Sequence, residues 1–118
     1  MSLPWVRLDT AFPLNPKVLQ LVEDRRYRAA FAYVCGLCIS GAQGTDGYLS
    51  PTSLPHTHGT PRDAQALVDA GLWVPTSAGW RINGWDEYQM SSQEHQDRRA
   101  RAQAAAELRW SGHGRRRT

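Results

Sequence analysis

Apolar side chains recur with helical spacing in two segments near the beginning of the chain. Asn15-Pro16 is typical of a helix start, because Asn caps the free N–H groups and Pro fits the first helical position. The apolar residues that follow fall on one face: Val18, Leu19 and Val22. In the next segment, apolar residues recur at intervals of four, three and four: Tyr27, Phe31, Val34 and Cys38. Ala30, Leu37 and Ile39 broaden this stripe. The pattern predicts a helix from residue 23 or 24 to about Ser40 that turns the stripe toward the core.

The middle of the chain predicts a short strand and a well-capped helix. Asp46-Gly47 indicates a turn, and Tyr48-Leu49 is long enough for only a short strand. Pro55 and Gly59 then limit the following stretch to about one helical turn or an irregular loop. Thr60 to Asp63 combines a capping residue, a proline and an acid with the spacing of a capping box, so we expect a helix ending at Gly71.

A β-hairpin is predicted next. Leu72 to Pro75 and Trp80 to Ile82 flank residues 76–79, which predicts two strands joined by a four-residue loop. Two helices, a short strand, a helix-turn-helix and a hairpin form the order of a winged helix. We therefore predict an α+β, mostly α, winged helix-turn-helix with a β-hairpin wing, in which the helix at residues 61–70 holds the recognition position.

The C-terminal part differs in composition from the rest. Ser91 to Glu94 is a second capping box, and an alanine- and arginine-rich helix follows to about Trp110. Residues 1–93 carry seven Lys/Arg and eight Asp/Glu, a net charge of −1, whereas residues 94–118 carry seven Arg and three acids, a net charge of +4. The predicted organisation is a winged-helix domain at 1–90, a basic helix at 91–110 and a disordered tail at 111–118. Such charge asymmetry favours an anionic partner, of which nucleic acid is the usual one.

The cysteines, histidines and acids do not form a pattern that predicts catalysis. Cys35 and Cys38 have CxxC spacing, but they fall in the middle of a helix, so we expect two small apolar core residues rather than a redox or zinc site. His56 and His58 lack nearby acidic ligands, and neither a phosphate loop nor a nucleophile elbow is present. We expect no enzyme, no metal and no cofactor. A run of 18 apolar residues and a signal pattern are also missing, so we expect a cytoplasmic protein without a membrane partner.

The tryptophans suggest packing more than nucleotide stacking. Trp73 and Trp80 flank the predicted wing as cross-strand partners, and Trp5 and Trp85 lie in strand-like contexts. Core packing is expected for these four. Trp110, in the basic helix, is expected to be exposed.

Several strings carry a resemblance to a known family. They are Trp5 to Asp9, Asn15 to Leu19, Asp46 to Leu49, Leu67 to Trp73 and Trp80 to Gln89. Over about residues 4 to 90 the chain resembles the N-terminal winged-helix domain of phage replisome-organiser proteins, and also small helix-turn-helix proteins of actinobacterial phages and prophages. The resemblance implies DNA binding, at a phage origin with recruitment of the replicative helicase or at an operator. One departure is residues 55–59, which interrupt the first helix of the helix-turn-helix.

The residues expected to contact DNA follow from side-chain type and position. Arg62 and Gln65 suit base edges, Thr60 suits a phosphate at the helix N-terminus, and Arg81 belongs to the wing. The basic helix and the tail after it supply the arginines expected to contact the DNA phosphate backbone: Arg98, Arg99, Arg101, Arg109, Arg115, Arg116 and Arg117. If about five of these pair with phosphates, the salt slope is near −4 to −5. The partner is then double-stranded DNA, with a homodimer or a host or phage replication protein left open.

An alternative function belongs to another class. Asp63 and Asp69 lie on the candidate recognition helix, and carboxylates repel phosphates. The chain therefore also fits a protein-interaction adaptor, in which the winged helix and the C-terminal helix dock on a host or phage protein.

Overall fold

The computed structural model describes residues 2–89 and 91–116. Its α-helices, in chain order, are α1 (Pro16–Glu23), α2 (Tyr27–Gln43), α3 (Pro61–Asp69), α4 (Trp85–Tyr88) and α5 (Ser92–Arg116). Its strands are β1 (Tyr48–Leu49), β2 (Trp73–Thr76) and β3 (Gly79–Ile82), and 3₁₀ helices occupy Phe12–Leu14 and Pro51–Thr57. The protein is α+β and mostly helical, with one small sheet, as the pattern predicted.

The predicted capping residues begin the helices at which they were expected. The Asn15 side chain accepts a hydrogen bond from the N–H of Lys17 at 2.9 Å, at the start of α1. Thr60 and Asp63 form a complete capping box at the start of α3. These two starts were predictable because capping depends on residues adjacent in the sequence. The boundary between α1 and α2 was misplaced: α1 runs to Glu23, and α2 begins only at Tyr27.

The strands form an antiparallel sheet with the order β1-β3-β2. Trp73 pairs with Ile82 and Thr76 with Gly79, so the hairpin turn consists of residues 77–78. The predicted four-residue loop is thus wrong, because Thr76 and Gly79 still belong to the ladder. Gly79 has a φ of 150°, and a Cβ there would collide with the backbone of β1 at Leu49. Glycine at this position therefore lets β1 approach the hairpin.

The face that α2 buries is mostly not the predicted one, since Leu37 alone of the predicted apolar residues is fully buried. The other buried residues of the helix are small: Ala29, Ala32, Gly36, Ser40 and Gly41. Tyr27 and Phe31 are 60% and 55% exposed, Cys38 is exposed and Val34 is half-buried. The physical reason is close approach: a Cβ on Gly36 would lie 3.1 Å from Leu49 and 3.2 Å from Trp73. Only small side chains fit where α2 approaches Leu49 and Trp73, so the side chains of Tyr27 and Phe31 face outward.

The face that α1 buries also departs in part from the prediction. Val18 is buried as predicted, but Leu19 and Val22 are exposed, and Leu21 packs in the core instead. The apolar spacing was compatible with either face of so short a helix.

The tryptophans divide between core and surface. Trp73 and Trp85 are 1% and 2% exposed, and the half-buried Trp80 ring lies 5.7 Å from that of Trp73. Trp85 begins α4 rather than a strand. The core prediction was wrong for Trp5, which is 55% exposed and has the Arg7 guanidinium 5.8 Å from its ring centroid. The aromatic core therefore belongs to the hairpin and α4.

The N-terminal segment forms an extended arm. The N–H of Leu3 donates to the carbonyl of Gly41 at 2.7 Å, which fixes the arm to the C-terminal end of α2. The side-chain amide of Gln89 bonds to the backbone of Arg7 farther along. The arm thus spans α2 and the residue that follows α4.

Helix α5 is the longest element described. At 1.5 Å per residue, its 25 residues extend over roughly 37 Å. It continues through Arg116, beyond the end predicted near Trp110, and Arg117 and Thr118 lie outside the described residues. Across the described part of the chain, the helices are each too short or too polar to cross a membrane.

Candidate nucleic-acid interface

Helix α3 exposes the two side chains that were predicted to meet base edges. Arg62 and Gln65 are both exposed, one helical turn apart on the outer side of α3. The Gln65 Nε2 donates to Asp69 Oδ1 at 2.8 Å, which holds the amide along the helix axis. Gln65 keeps its second Nε2 hydrogen and its Oε1 for a ligand, and Arg62 has an exposed guanidinium.

A shallow groove separates this face of α3 from α1. It has a volume of about 290 Å³, and its lining includes Gln20, Asp24, Arg26, Arg62, Gln65 and Asp69. The lining carries both signs of charge, so the groove is not a strongly positive pocket. Arg26 was missed as a companion of Arg62, although the sequence signal was present in the basic cluster at the beginning of α2.

Thr60 is the N-cap residue of α3 and forms its capping box with Asp63. Its hydroxyl donates to Asp63 Oδ2 at 3.0 Å and accepts from the N–H of Asp63 at 3.3 Å. Its own N–H donates to Asp63 Oδ2 at 2.8 Å. The predicted phosphate contact by Thr60 therefore competes with the capping box, since the same groups already hold the first turn together.

Asp63 does not face the solvent on which its predicted repulsion of phosphate depends. It is 3% exposed, and Arg28 of α2 donates from Nε to its Oδ2 at 2.7 Å. Burial raises the pKa of the Asp63 carboxyl, but the hydrogen bonds from Thr60 and Arg28 outweigh burial and leave the pKa below its ordinary value. Asp63 is thus an ionised structural group that joins α2 to α3, and only Asp69 remains as an exposed acid on that helix.

Arg81 lies on the sheet rather than at the hairpin turn. It occupies the middle of β3, paired with Tyr48 on one side and Val74 on the other. Its Nη2 donates to Asp86 Oδ2 at 3.1 Å, and both side chains are largely exposed. Exposed pairs of this kind contribute about 0–1 kcal/mol, so a phosphate could replace Asp86 at little cost. The turn itself, residues 77–78, carries no basic side chain.

Helix α5 presents the densest group of exposed cations. Arg98, Arg99, Arg101 and Arg109 are all exposed. Within the described residues, none of these four takes part in an ion pair. At 100° per residue, Arg98, Arg101 and Arg109 fall within one arc of about 80°, and Arg99 lies about a quarter turn away. The side chains of Arg115 and Arg116 lie outside the described part, as does all of Arg117, so these three contacts stay predictions.

The candidate residues therefore form separate groups. One group is the outer face of α3, with Arg62 and Gln65; another is the arginine side of α5; Arg81 stands on the sheet. Among the described residues, no ion pair links one of these groups to another. Any ligand that engages more than one of them must be extended, as a nucleic-acid duplex is.

The cysteines lie on the surface side of α2, so the prediction of core packing was wrong. Both are free thiols; Cys35 is half-buried and Cys38 is exposed. Burial, with a smaller contribution from Cys38, raises the pKa of the Cys35 thiol. A raised thiol pKa is the opposite of what a redox-active cysteine requires. Among the described residues, no group of three His, Cys, Asp or Glu is arranged to hold a metal ion.

In comparisons with known proteins, no family model matches this chain, and neither a curated protein sequence nor a solved structure matches it.

Proposed function

We propose that this protein is a winged-helix protein of phage or prophage type that binds double-stranded DNA in the cytoplasm, in replication initiation or transcriptional control. The observation that carries the proposal is α5, an exposed helix on which four arginines have no acidic partner among the described residues. Unpaired guanidiniums on one elongated element suit the regularly spaced phosphates of a duplex.

The arrangement of the body supports the same function. The order α2, β1, the 3₁₀ helix at Pro51–Thr57, α3, β2 and β3, with the sheet order β1-β3-β2, agrees with what a winged helix requires. The 3₁₀ helix stands where such a fold has the first helix of its helix-turn-helix. Because folds host many functions, this topology supports the proposal only together with the arginines of α5.

The proposed division of roles follows from exposure and pairing. Four arginines of α5 bind phosphates, because their charges are exposed and unpaired among the described residues: Arg98, Arg99, Arg101 and Arg109. Arg62 and Gln65 contact base edges, since both project from the outer face of α3. In this proposal the chain is a binding module rather than an enzyme.

Fluorescence anisotropy with labelled duplex DNA across a salt series tests the proposal. Four phosphate contacts predict a slope of log K against log salt of about −3.6. The variant R98Q/R101Q should make the slope less steep by about 2, because two phosphate contacts are lost. The variant R7Q/R25Q, which removes two charges from the body, should leave the slope nearly unchanged. Equal losses in the two variants would show a nonspecific charge effect and contradict the assignment to α5.

A second candidate is the protein-interaction adaptor, favoured by exposed apolar residues on α5. Leu108 and Trp110 are 74% and 76% exposed near the C-terminal end of the described helix. An aromatic anchor on a projecting helix suits docking into an apolar groove of another protein. If the full chain fails to bind duplex DNA even at low salt, the DNA proposal is wrong and the adaptor replaces it.

A further inference from the structure

The outward side of α2 carries an apolar surface whose presence the fold does not require. We define the α2 stripe as Tyr27, Phe31, Val34 and Cys38. Its aromatic members are 60% and 55% exposed, and the ring of Phe31 lies 5.9 Å from that of His58. These side chains keep the heptad-like spacing of a helix–helix seam although the core lies on the other side of α2. A surface with that spacing suits another helix as its partner.

We propose that the α2 stripe is a dimerisation surface, on which the α2 helix of a second copy of this chain packs in antiparallel orientation. The spacing of four, three and four residues is the same in both directions along the helix. A twofold axis between residues 32 and 33 therefore places every stripe residue opposite a stripe residue of the other copy. Self-complementarity of this kind is what a closed twofold interface requires.

Side-chain size supports this register. In the antiparallel pair, Tyr27 of one copy lies opposite Cys38 of the other, and Phe31 lies opposite Val34. Each layer then combines one aromatic side chain with one smaller side chain, so the layers have similar volume and two helices can pack closely. In a parallel pair, large side chains would meet large ones at one end and small ones would meet small ones at the other.

The neighbouring surface leaves Tyr27, Phe31 and Cys38 exposed and Val34 half-buried. The N-terminal arm borders α2 on the side of Gly41, where a Cβ would meet the side chain of Val6. Cys38, at that end of the stripe, is nevertheless exposed. The arm therefore flanks the surface and does not cover it. The inference is independent of DNA binding, because it uses no residue assigned to the DNA contacts.

Sedimentation equilibrium of the full chain under reducing conditions, over a wide concentration series, tests for the dimer. We expect the wild type to dimerise as concentration rises, Phe31→Glu and Tyr27→Glu to remain monomeric, and Leu108→Glu to dimerise like the wild type. Leu108 is the matched control, because it is an exposed apolar residue on another helix. A wild type that stays monomeric overturns the proposal, as does a dimer that Leu108→Glu breaks and both α2 variants preserve. Circular dichroism establishes that the variants remain folded.

Oxidative cross-linking tests the register. Tyr27 and Cys38 are separated by about 16 Å along one helix, so the two native Cys38 thiols of an antiparallel dimer lie too far apart to join. Tyr27→Cys places a new thiol opposite Cys38 of the second copy. We expect a covalent dimer for Y27C, and none for the wild type or for Y27C/C38S. Efficient cross-linking of the wild type through Cys38 would indicate a parallel pair and overturn the antiparallel arrangement.

Discussion

Gln89 holds the backbone of Arg7, 82 residues earlier in the chain, with two hydrogen bonds. Its Oε1 accepts from the N–H of Arg7 at 2.8 Å, and its Nε2 donates to the carbonyl of Arg7 at 2.7 Å. A single side-chain amide thus satisfies the donor and the acceptor of one residue, as a neighbouring strand would. Because Gln89 is only 8% exposed, these two hydrogen bonds attach the N-terminal arm to a buried side chain of the body.

Replacing Gln89 with alanine should release the arm and lower the free energy of unfolding. Two intramolecular hydrogen bonds are lost, each with a net value of about 0.5–1.5 kcal/mol, so we expect a loss of about 1–3 kcal/mol. Urea unfolding measures the loss, and amide exchange at Arg7 should accelerate. Gln43→Ala is the control, since Gln43 is exposed at the end of α2. An equal effect in the two variants would contradict the anchoring role.

Asp63 should make the fold sensitive to acid. Its pKa is lowered in the folded state, so the folded protein favours the ionised carboxyl more than the unfolded chain does. The stabilisation is present above the ordinary carboxyl pKa of about 3.9 and is lost as pH falls through that value toward the lower folded pKa. In Asp63→Asn the hydrogen bonds of the capping box and of Arg28 are impaired at every pH. We therefore expect a lower stability near neutrality and a flatter decline below about pH 4.

Urea midpoints measured from neutral pH down to about pH 3 check this prediction. Unfolding in acid is driven mostly by the protonation of carboxylates that are ionised in the folded state. Asp86→Asn is the matched variant, because Asp86 belongs to an exposed ion pair with Arg81. That variant should change the free energy of unfolding by at most about 1 kcal/mol, and its stability should decline at low pH as that of the wild type does. Parallel profiles of D63N and the wild type through the acid range would contradict the stabilising role of the ionised Asp63.

Substitutions on the two sides of α2 should differ in how much they lower the free energy of unfolding. Gly36→Val adds volume where even a Cβ would lie 3.1 Å from Leu49, so overpacking should lower the unfolding free energy by about 1–3 kcal/mol. Phe31→Ala removes a 55% exposed ring and should change it by about 0.5 kcal/mol or less at dilutions where the chain is monomeric. Chemical unfolding of both variants compares them directly. If Phe31→Ala is the more destabilising one, the assignment of the buried face is wrong.

Local signals in the sequence sufficed to predict most element starts. Asn15-Pro16 and Thr60-Pro61 begin helices because their side chains act on N–H groups two or three residues away. The hairpin was predictable for the same reason, apart from the length of its turn. Pro55 correctly excluded a long α-helix, and a 3₁₀ helix at Pro51–Thr57 takes its place.

The orientation of α2 could not be predicted from the pattern, because two of its faces are compatible with burial. The sequence offers an aromatic stripe and a face of small residues, and hydrophobicity favours the stripe. The choice is made by how closely β1, β2 and α3 approach the helix. Gly36 and Ala32 allow that approach, and it depends on residues far along the chain.

The candidate site was only partly accessible to sequence reasoning. Exposure of Arg62 and Gln65 followed from the period of α3. The role of Asp63 did not, because its partner Arg28 lies on another helix, 35 residues away. The same holds for Arg81, whose place in the middle strand depends on its pairing with β1 and β2.

Arginines on the two helices should differ in how they affect DNA binding. Arg98→Ala removes an exposed cation expected to bind a phosphate, so it should weaken binding to all duplexes alike and reduce the salt slope by about 0.9. Arg62→Ala removes a base-edge contact, so it should cost about 1–3 kcal/mol on a selected binding sequence and little on a scrambled duplex. Anisotropy titrations of both variants against both duplexes separate these effects, with Arg25→Ala as the control for lost charge. If Arg62→Ala weakens the two duplexes equally, α3 contributes charge and not sequence selection, and specificity must come from DNA shape or from a partner protein.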